Sequence, residues 1–401
     1  MDNLDALAGS STGSSPESSP ESSPDRSDSQ LDSRRAEGFR DPELARRLIH
    51  QVSELVKRIG RPLKFMEVCG THTMAIAKTG LRSVLPADLE LLSGPGCPVC
   101  VTANSDIDTM IALARQPGLT ICSFGDMLRV PGSTSSLLEL RAEGKDIQIV
   151  YSPLDSLAMA AAETKRQVVF VGVGFETTTP IVAAAIQRAA ARGLTNFSVL
   201  ALHKRVPPAL EVLLNDAELK LDALILPGHV STILGVEPYR FISQRWQMPA
   251  VITGFEPLDI LEGLRELLLL VQAKDAGQPI DVHNAYRRGA SDSGNLAALA
   301  AIDEVFCVAD AEWRGLGMIN GSGYRLRPEF ARFDALARFA PEVEPTREVL
   351  GCLCGDVLRG RITPRGCPHF GRSCLPQSPL GPCMVSSEGS CAAYYRYQVG
   401  S

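Results

Sequence analysis

Apolar positions along the chain follow two rhythms between residue 41 and about residue 275. The first is helical: Leu44, Leu48, Val52, Leu55 and Ile59 recur every three or four residues behind Asp41 and Pro42, and Gly60 follows. This spacing predicts one amphipathic helix, with Asp41 as N-cap, Pro42 at the first helical position and Gly60 as the stop. The second is a series of short β-rich runs: KFMEV (64–68), LELLS (89–93), LTICS (119–123), IQIVY (147–151), VVFVGV (168–173), FSVLAL (197–202), DALIL (222–226) and PAVIT (249–253). Strands of this kind alternating with helical patterns predict βα units and parallel sheet. A weak internal echo, VGVGFETTTP at 171–180 against VITGFEPLDI at 251–260, favours two small open α/β domains over one eight-stranded barrel. After an amphipathic helix near Leu258 to Lys274 the strand rhythm stops, and the chain turns Gly-, Pro- and Cys-rich. That change predicts a third domain supported by metal.

The expected organisation is thus α/β with four parts. Residues 1–37, Ser/Pro-rich with a short SSPE repeat, read as a disordered tail, because they carry too little apolar surface to offset the entropy of ordering. Residues 38–148 form the first α/β domain, its chain free to interleave with the second at 149–275, and 276–401 form the Cys-rich C-terminal domain. The 401 residues hold 40 Lys+Arg against 46 Asp+Glu, a net charge of -6, with no basic patch of the kind a nucleic-acid binder needs. No apolar run reaches the roughly 18 residues of a membrane helix; even Leu261–Ala273 carries Glu262, Arg265 and Glu266. The first residues, MDNLDALAGSSTGSSPESSPESSPD, lack the basic start and apolar core of an export signal, so the expected location is the cytoplasm, where thiols stay reduced.

Eleven cysteines therefore call for a chemical explanation, and they cluster: six fall in the last 50 residues and three more, Cys69, Cys97 and Cys100, lie near the front. In a reducing compartment such clusters point to metal or redox chemistry. Cys69-Gly70-Thr71-His72-Thr73 follows a strand and opens a helix. The helix N-terminus is expected to lower the Cys69 pKa, and the three-residue spacing allows one turn to offer Cys69 and His72 to one ion. The competing reading is a buried Cys, a capping Thr and a hydrogen-bonded His. Gly94-Pro95-Gly96-Cys97-Pro98-Val99-Cys100 is similar to a thioredoxin-type redox pair, with an exposed attacking thiolate and a resolving thiol; a zinc half-site or structural thiols are the rivals. Gly172 to Pro180 offers helix-terminal N–H groups to an anion and places the Glu176 carboxylate at the same sheet edge, although Thr caps and Pro180 explain much of it. Leu226-Pro227-Gly228-His229-Val230-Ser231 repeats the arrangement with a lone His. In the tail, Cys352, Cys367, Cys374 and Cys391 are separated by 14, 6 and 16 residues, leaving Cys354 and Cys383 as a second pair. Four thiolates suit zinc or an iron-sulfur cluster, and spare thiols alongside favour redox.

Taken in order, CGTHT, GPGCPVC, GFETTTP, LPGHVS and the six-cysteine tail resemble the HypD family of hydrogenase maturation proteins over about residues 40–397. The resemblance implies two α/β domains and a C-terminal iron-sulfur domain. It implies a scaffold on which the Fe(CN)2CO unit of nickel-iron hydrogenase is assembled, working with a HypC-type small chaperone and a HypE-type cyanide donor and serving the hydrogenase large subunit. Carried over, Cys69 and His72 match the positions that hold the nascent iron with its CN and CO ligands, HypC supplying a further cysteine. Cys97 and Cys100 match redox thiols of the cleft, Cys352, Cys367, Cys374 and Cys391 match 4Fe-4S ligands, and Cys354 and Cys383 match a neighbouring thiol pair, an arrangement similar to ferredoxin:thioredoxin reductase. Some relatives carry a second His two residues after the first, where this chain has Met74. The alternatives from other classes are a thiol-disulfide oxidoreductase centred on CPVC and a zinc-stabilised α/β binding protein.

Overall fold

The computed structural model describes residues 41–398, so the segment expected to be a disordered tail lies outside the described residues. The first element is the helix Pro42–Ile59, capped as expected: Asp41 Oδ1 accepts the N–H groups of Glu43 (2.8 Å) and Leu44 (3.4 Å), and Gly60 ends it at φ 71°. Its buried face, Leu48, Val52, Leu55 and Val56, packs on the helix Pro257–Asp275 through Leu261, Leu264 and Leu268.

Eleven strands follow in sequence: β1 Leu63–Glu67, β2 Leu89–Ser93, β3 Leu119–Ser123, β4 Ile147–Ile149, β5 Gln167–Gly172, β6 Phe197–Ala201, β7 Ala223–Pro227, β8 Ala250–Thr253, β9 His283–Asn284, β10 Phe306–Trp313 and β11 Gly317–Leu326. Two sheets are wholly parallel, one ordered β2-β1-β7-β8-β9 and the other β4-β3-β5-β6. The strands β3, β7 and β8 are buried at every position, as parallel strands covered by helices on both faces must be. The chain leaves the first sheet after β2, builds the whole second sheet, and returns at β7 to complete the first. A boundary at 148/149 falls inside β4, and β9, beyond residue 275, extends the first sheet.

The expectation that strands stop after the helix at 258–274 is corrected by β10 and β11, an antiparallel hairpin. Its first strand, FCVADAEW, buries Phe306 and Trp313 at its two ends and carries small or acidic residues between them, so no run of large apolar residues announces it. Trp313 Nε1 donates to Ser322 Oγ across the hairpin at 2.9 Å, and Arg205 N donates to Ser322 O at 2.7 Å, tying the hairpin to the chain leaving β6. The rest of the tail folds as short helices, Cys354–Leu358, Pro382–Val385 and Ser390–Gln398, the last packed against the helix Gly70–Lys78. Among the described residues no helix is long and apolar enough to cross a membrane.

Candidate functional site

Ligands in open α/β sheets gather where strands end and βα loops begin. Cys69 follows β1, the Gly94–Cys100 loop follows β2, Gly174–Thr178 follow β5, His229 follows β7 and Gly254 follows β8. The first two loops are locked together: Gly70 N donates to Gly96 O and Gly94 N to Glu67 O, both at 2.8 Å. The approach is close enough that a Cβ on Gly96 would stand 2.1 Å from Cys69 N and 2.4 Å from Cys69 Cα. Backbone cannot yield at such distances, so Gly96→Ala is expected to cost about 3 kcal/mol or more, read as a drop in the chemical denaturation midpoint. A midpoint within error of the unaltered chain would contradict this packing.

Cys97 and Cys100 are joined as a disulfide with Cα atoms 5.2 Å apart. Both are buried, at 3% and 0% exposure, which corrects the picture of an exposed attacking thiolate: the sequence around Pro98 turns into a short helix beneath the core and not at the surface. Cys100 Sγ lies 3.9 Å from Pro382 O, one residue before Cys383, so the pair abuts the C-terminal cysteines from within.

Cys69 caps the helix Gly70–Lys78, with the N–H groups of Thr71 and His72 facing its sulfur. The expected lowering of its pKa is nevertheless overturned. Burial, helped by the Glu388 carboxylate alongside, pushes the thiol up to about 12 against the pull of those N–H groups. Alkylation of Cys69 by a neutral reagent, followed by peptide mass spectrometry, is therefore expected to climb about tenfold per pH unit from 7 to 10. A plateau by pH 8 would show a low-pKa thiol instead.

His72 is fully buried and held neutral, its pKa lowered to about 4 by burial. Its Nε2 stands 2.9 Å from Gly254 O, while Nδ1 has no hydrogen-bond partner. A carbonyl only accepts, so Nε2 carries the proton and Nδ1 keeps a free lone pair. Nearby, Thr73 Oγ1 donates to Glu67 Oε1 at 2.7 Å, and burial pushes Glu67 up to about 7.

Glu176, just past β5, is buried as well. Its Oε1 accepts Val206 N at 3.0 Å, satisfying an orphan donor at the start of the helix Val206–Leu214, and burial pushes its pKa up to about 7. Of the N–H groups behind it, Thr178 N (3.0 Å) and Thr179 N (3.3 Å) both close on Phe175 O and Pro180 has none, so these three positions offer no free donor to an anion.

In the tail, Cys352, Cys354, Cys367, Cys374 and Cys391 line one small pocket with His369 beside them. Leu380 N donates to Cys374 Sγ at 3.4 Å. Hydrogen bonding with Cys352 and Cys383, together with burial, raises the Cys354 thiol well above the ordinary thiol value against an opposing contact with Cys391, and the same Cys352–Cys354 contact lowers Cys352 to about 6. Cys97, Cys100, Cys354, Cys374, Cys383 and Cys391 all belong to one buried cluster that also holds Phe175, Tyr239 and Trp313. Among the described residues no three His, Cys, Asp or Glu side chains converge on a point as a single metal ion would require.

The family model for HypD, described as hydrogenase formation hypA family, matches residues 43–398. The chain belongs to the HypD family. It is 46% identical over 365 residues to hydrogenase maturation factor HypD of Escherichia coli, covering 90% of this chain and 97% of that protein. It is 44% identical over 371 residues to the HypD of Rhodobacter capsulatus, covering 90% of this chain and 97% of that protein. The HypD of Azotobacter vinelandii is likewise 44% identical, over 366 residues, with 90% and 95% covered.

Within this HypD-family fold the structure adds residues that the sequence did not single out. Glu388 accepts Thr71 Oγ1 at 2.8 Å and lies beside Cys69, yet it sits in a polar SSEGS stretch with no pattern to mark it. Phe255 stacks between His72 and His229, with centroids 4.7 and 3.9 Å away. The GFE echo at 254–256, read in the sequence only as a sign of two domains, is a signal that could have found it.

Proposed function

We propose that this HypD-family chain serves hydrogenase maturation as the scaffold on which the Fe(CN)2CO unit is assembled, with Cys69 and His72 holding the iron. One observation carries the reading: two loops from adjacent strands, locked by the Gly70–Gly96 hydrogen bond, bring Cys69 beside a buried disulfide, with His72 following in the same helical turn and its Nδ1 unpartnered. An unpartnered buried nitrogen costs stability, and a bound ligand at His72 Nδ1 would offset that cost. The iron is cargo here: binding it displaces the Cys69 proton, and the iron–thiolate bond formed offsets the cost that the high thiol pKa puts on that loss. A HypC-type chaperone contributes a further cysteine to this iron, a HypE-type protein donates cyanide, and the work takes place in the cytoplasm.

The tail cysteines fit a resident cluster. Cys352, Cys367, Cys374 and Cys391 share one pocket without meeting at a point, and a cuboidal 4Fe-4S cluster spreads its four thiolates in that way. When bound, it would supply electrons one at a time to a neighbouring disulfide. Cys354, which lines that pocket, and Cys383, next to the Pro382 carbonyl that Cys100 Sγ approaches, share one buried cluster with the Cys97–Cys100 disulfide, whose reduction takes two electrons and two protons and yields two thiols. The disulfide also favours a second reading, a thiol-disulfide oxidoreductase with no iron at Cys69. Infrared spectra of anaerobically purified protein with its HypC-type partner separate the two: cyanide and carbonyl bands are expected on the first reading and are absent on the second.

A further inference from the structure

The second GFE turn does work that the first does not. At 174–176, Phe175 stacks on Trp313 at 5.9 Å and Glu176 caps a helix. At 254–256, the Gly254 carbonyl accepts His72 Nε2 and the Phe255 ring lies against the His72 ring, inclined by 30°. We propose that the Gly254–Phe255 turn is the positioning element of His72, fixing its tautomer and ring plane so that Nδ1 is presented as a ligand; this rests on the reading of His72 as an iron ligand.

The turn is built to be rigid. Thr253 Oγ1 donates to Asp259 O at 2.6 Å, Glu256 N donates to Asp259 Oδ2 at 3.1 Å, and Asp259 is paired with Arg288. Tyr286 meets the Phe255 ring edge-on at 6.0 Å. The ring also has room reserved for it, since a Cβ on Gly228 would stand 3.1 Å from Phe255 Cζ and 2.4 Å from Thr253 O. Phe255 also stacks with the exposed His229 ring at 3.9 Å, while the His72 imidazole it leans against is fully buried. Orienting a ligand His through its second nitrogen is a general device of metal sites.

The test uses the full chain, anaerobic and labelled with 15N-histidine. In the unaltered protein, long-range proton-nitrogen correlations for His72, assigned by their loss in His72→Gln, are expected to show one tautomer with the proton on Nε2; a proton on Nδ1 overturns the proposal without any variant. Phe255→Leu keeps apolar bulk and removes the stacked ring. It is expected to give a mixture of tautomers and to lower affinity for ferrous iron, measured by chelator competition with Cys69→Ser as baseline, by roughly tenfold to hundredfold. Phe255→Tyr restores the ring and should restore both readouts, which a loss of packing alone would not explain. Wild-type tautomer and affinity in Phe255→Leu would sink the proposal. A disturbed tautomer with unchanged iron affinity would uphold the positioning role and instead refute the iron-ligand reading of His72.

Discussion

Cys69→Ser protein is expected to fold, to keep the iron of its C-terminal site, and to show no cyanide or carbonyl infrared bands when purified with its HypC-type partner. Ser is close in size to Cys, so the packing cost is about 1 kcal/mol. The chemical cost is far larger, because a hydroxyl stays protonated at neutral pH and is a poor ligand for ferrous iron, whereas even a thiol near 12 becomes thiolate once the metal displaces its proton. Hydrogenase maturation in cells should fall by at least about a hundredfold, with His72→Ala showing the same loss in weaker form. Bands of normal intensity in Cys69→Ser would move the assembly site away from this loop and make the Cys97–Cys100 pair the leading candidate.

Cys367→Ala is expected to remove colour and structure together. The unaltered chain, purified without oxygen, should be brown with about four irons; the variant should lose them. Residues 340–382 consist of turns and very short helices with few buried apolar side chains, so a bound cluster would supply much of their folding energy. The loss should exceed about 4 kcal/mol and appear as early proteolysis confined to the tail, with both parallel sheets still protected. One equivalent of zinc and no iron in the unaltered protein would reject the cluster.

The parts of the fold that could be read from sequence are those whose signal is local. Asp41, Pro42 and Gly60 mark a helix by the hydrogen bonds they make or cannot make, and the eight β-rich runs each became a strand. Which sheet a strand joins was not legible. Strands such as LTICS and ALILP are buried on both faces and carry no alternation that would tell one neighbour from another. The cysteine and histidine positions stood out by type, but their electrostatics did not. The sign of the Cys69 shift is not legible in sequence because its largest cause is burial, which only the finished fold brings about, with the Glu388 carboxylate from the far end of the chain adding to it; the helix N-terminus visible in sequence is the weaker influence.

The nested path of the chain also sets an order of events during synthesis. Residues 119–201 complete the four-stranded sheet as one uninterrupted stretch, whereas β1 and β2, finished by residue 93, wait for β7 at residue 223 before their sheet has a centre. At roughly 5–20 residues per second that wait lasts on the order of ten seconds. The inserted sheet therefore closes first on the ribosome, and Cys69 spends this interval as an exposed thiol on an unfinished surface. Phe255 and Glu388, which enclose the loop, emerge later still. On the proposed reading of Cys69 and His72 as iron ligands, a nascent chain has no finished site to load, so pick-up of the metal waits for the completed molecule.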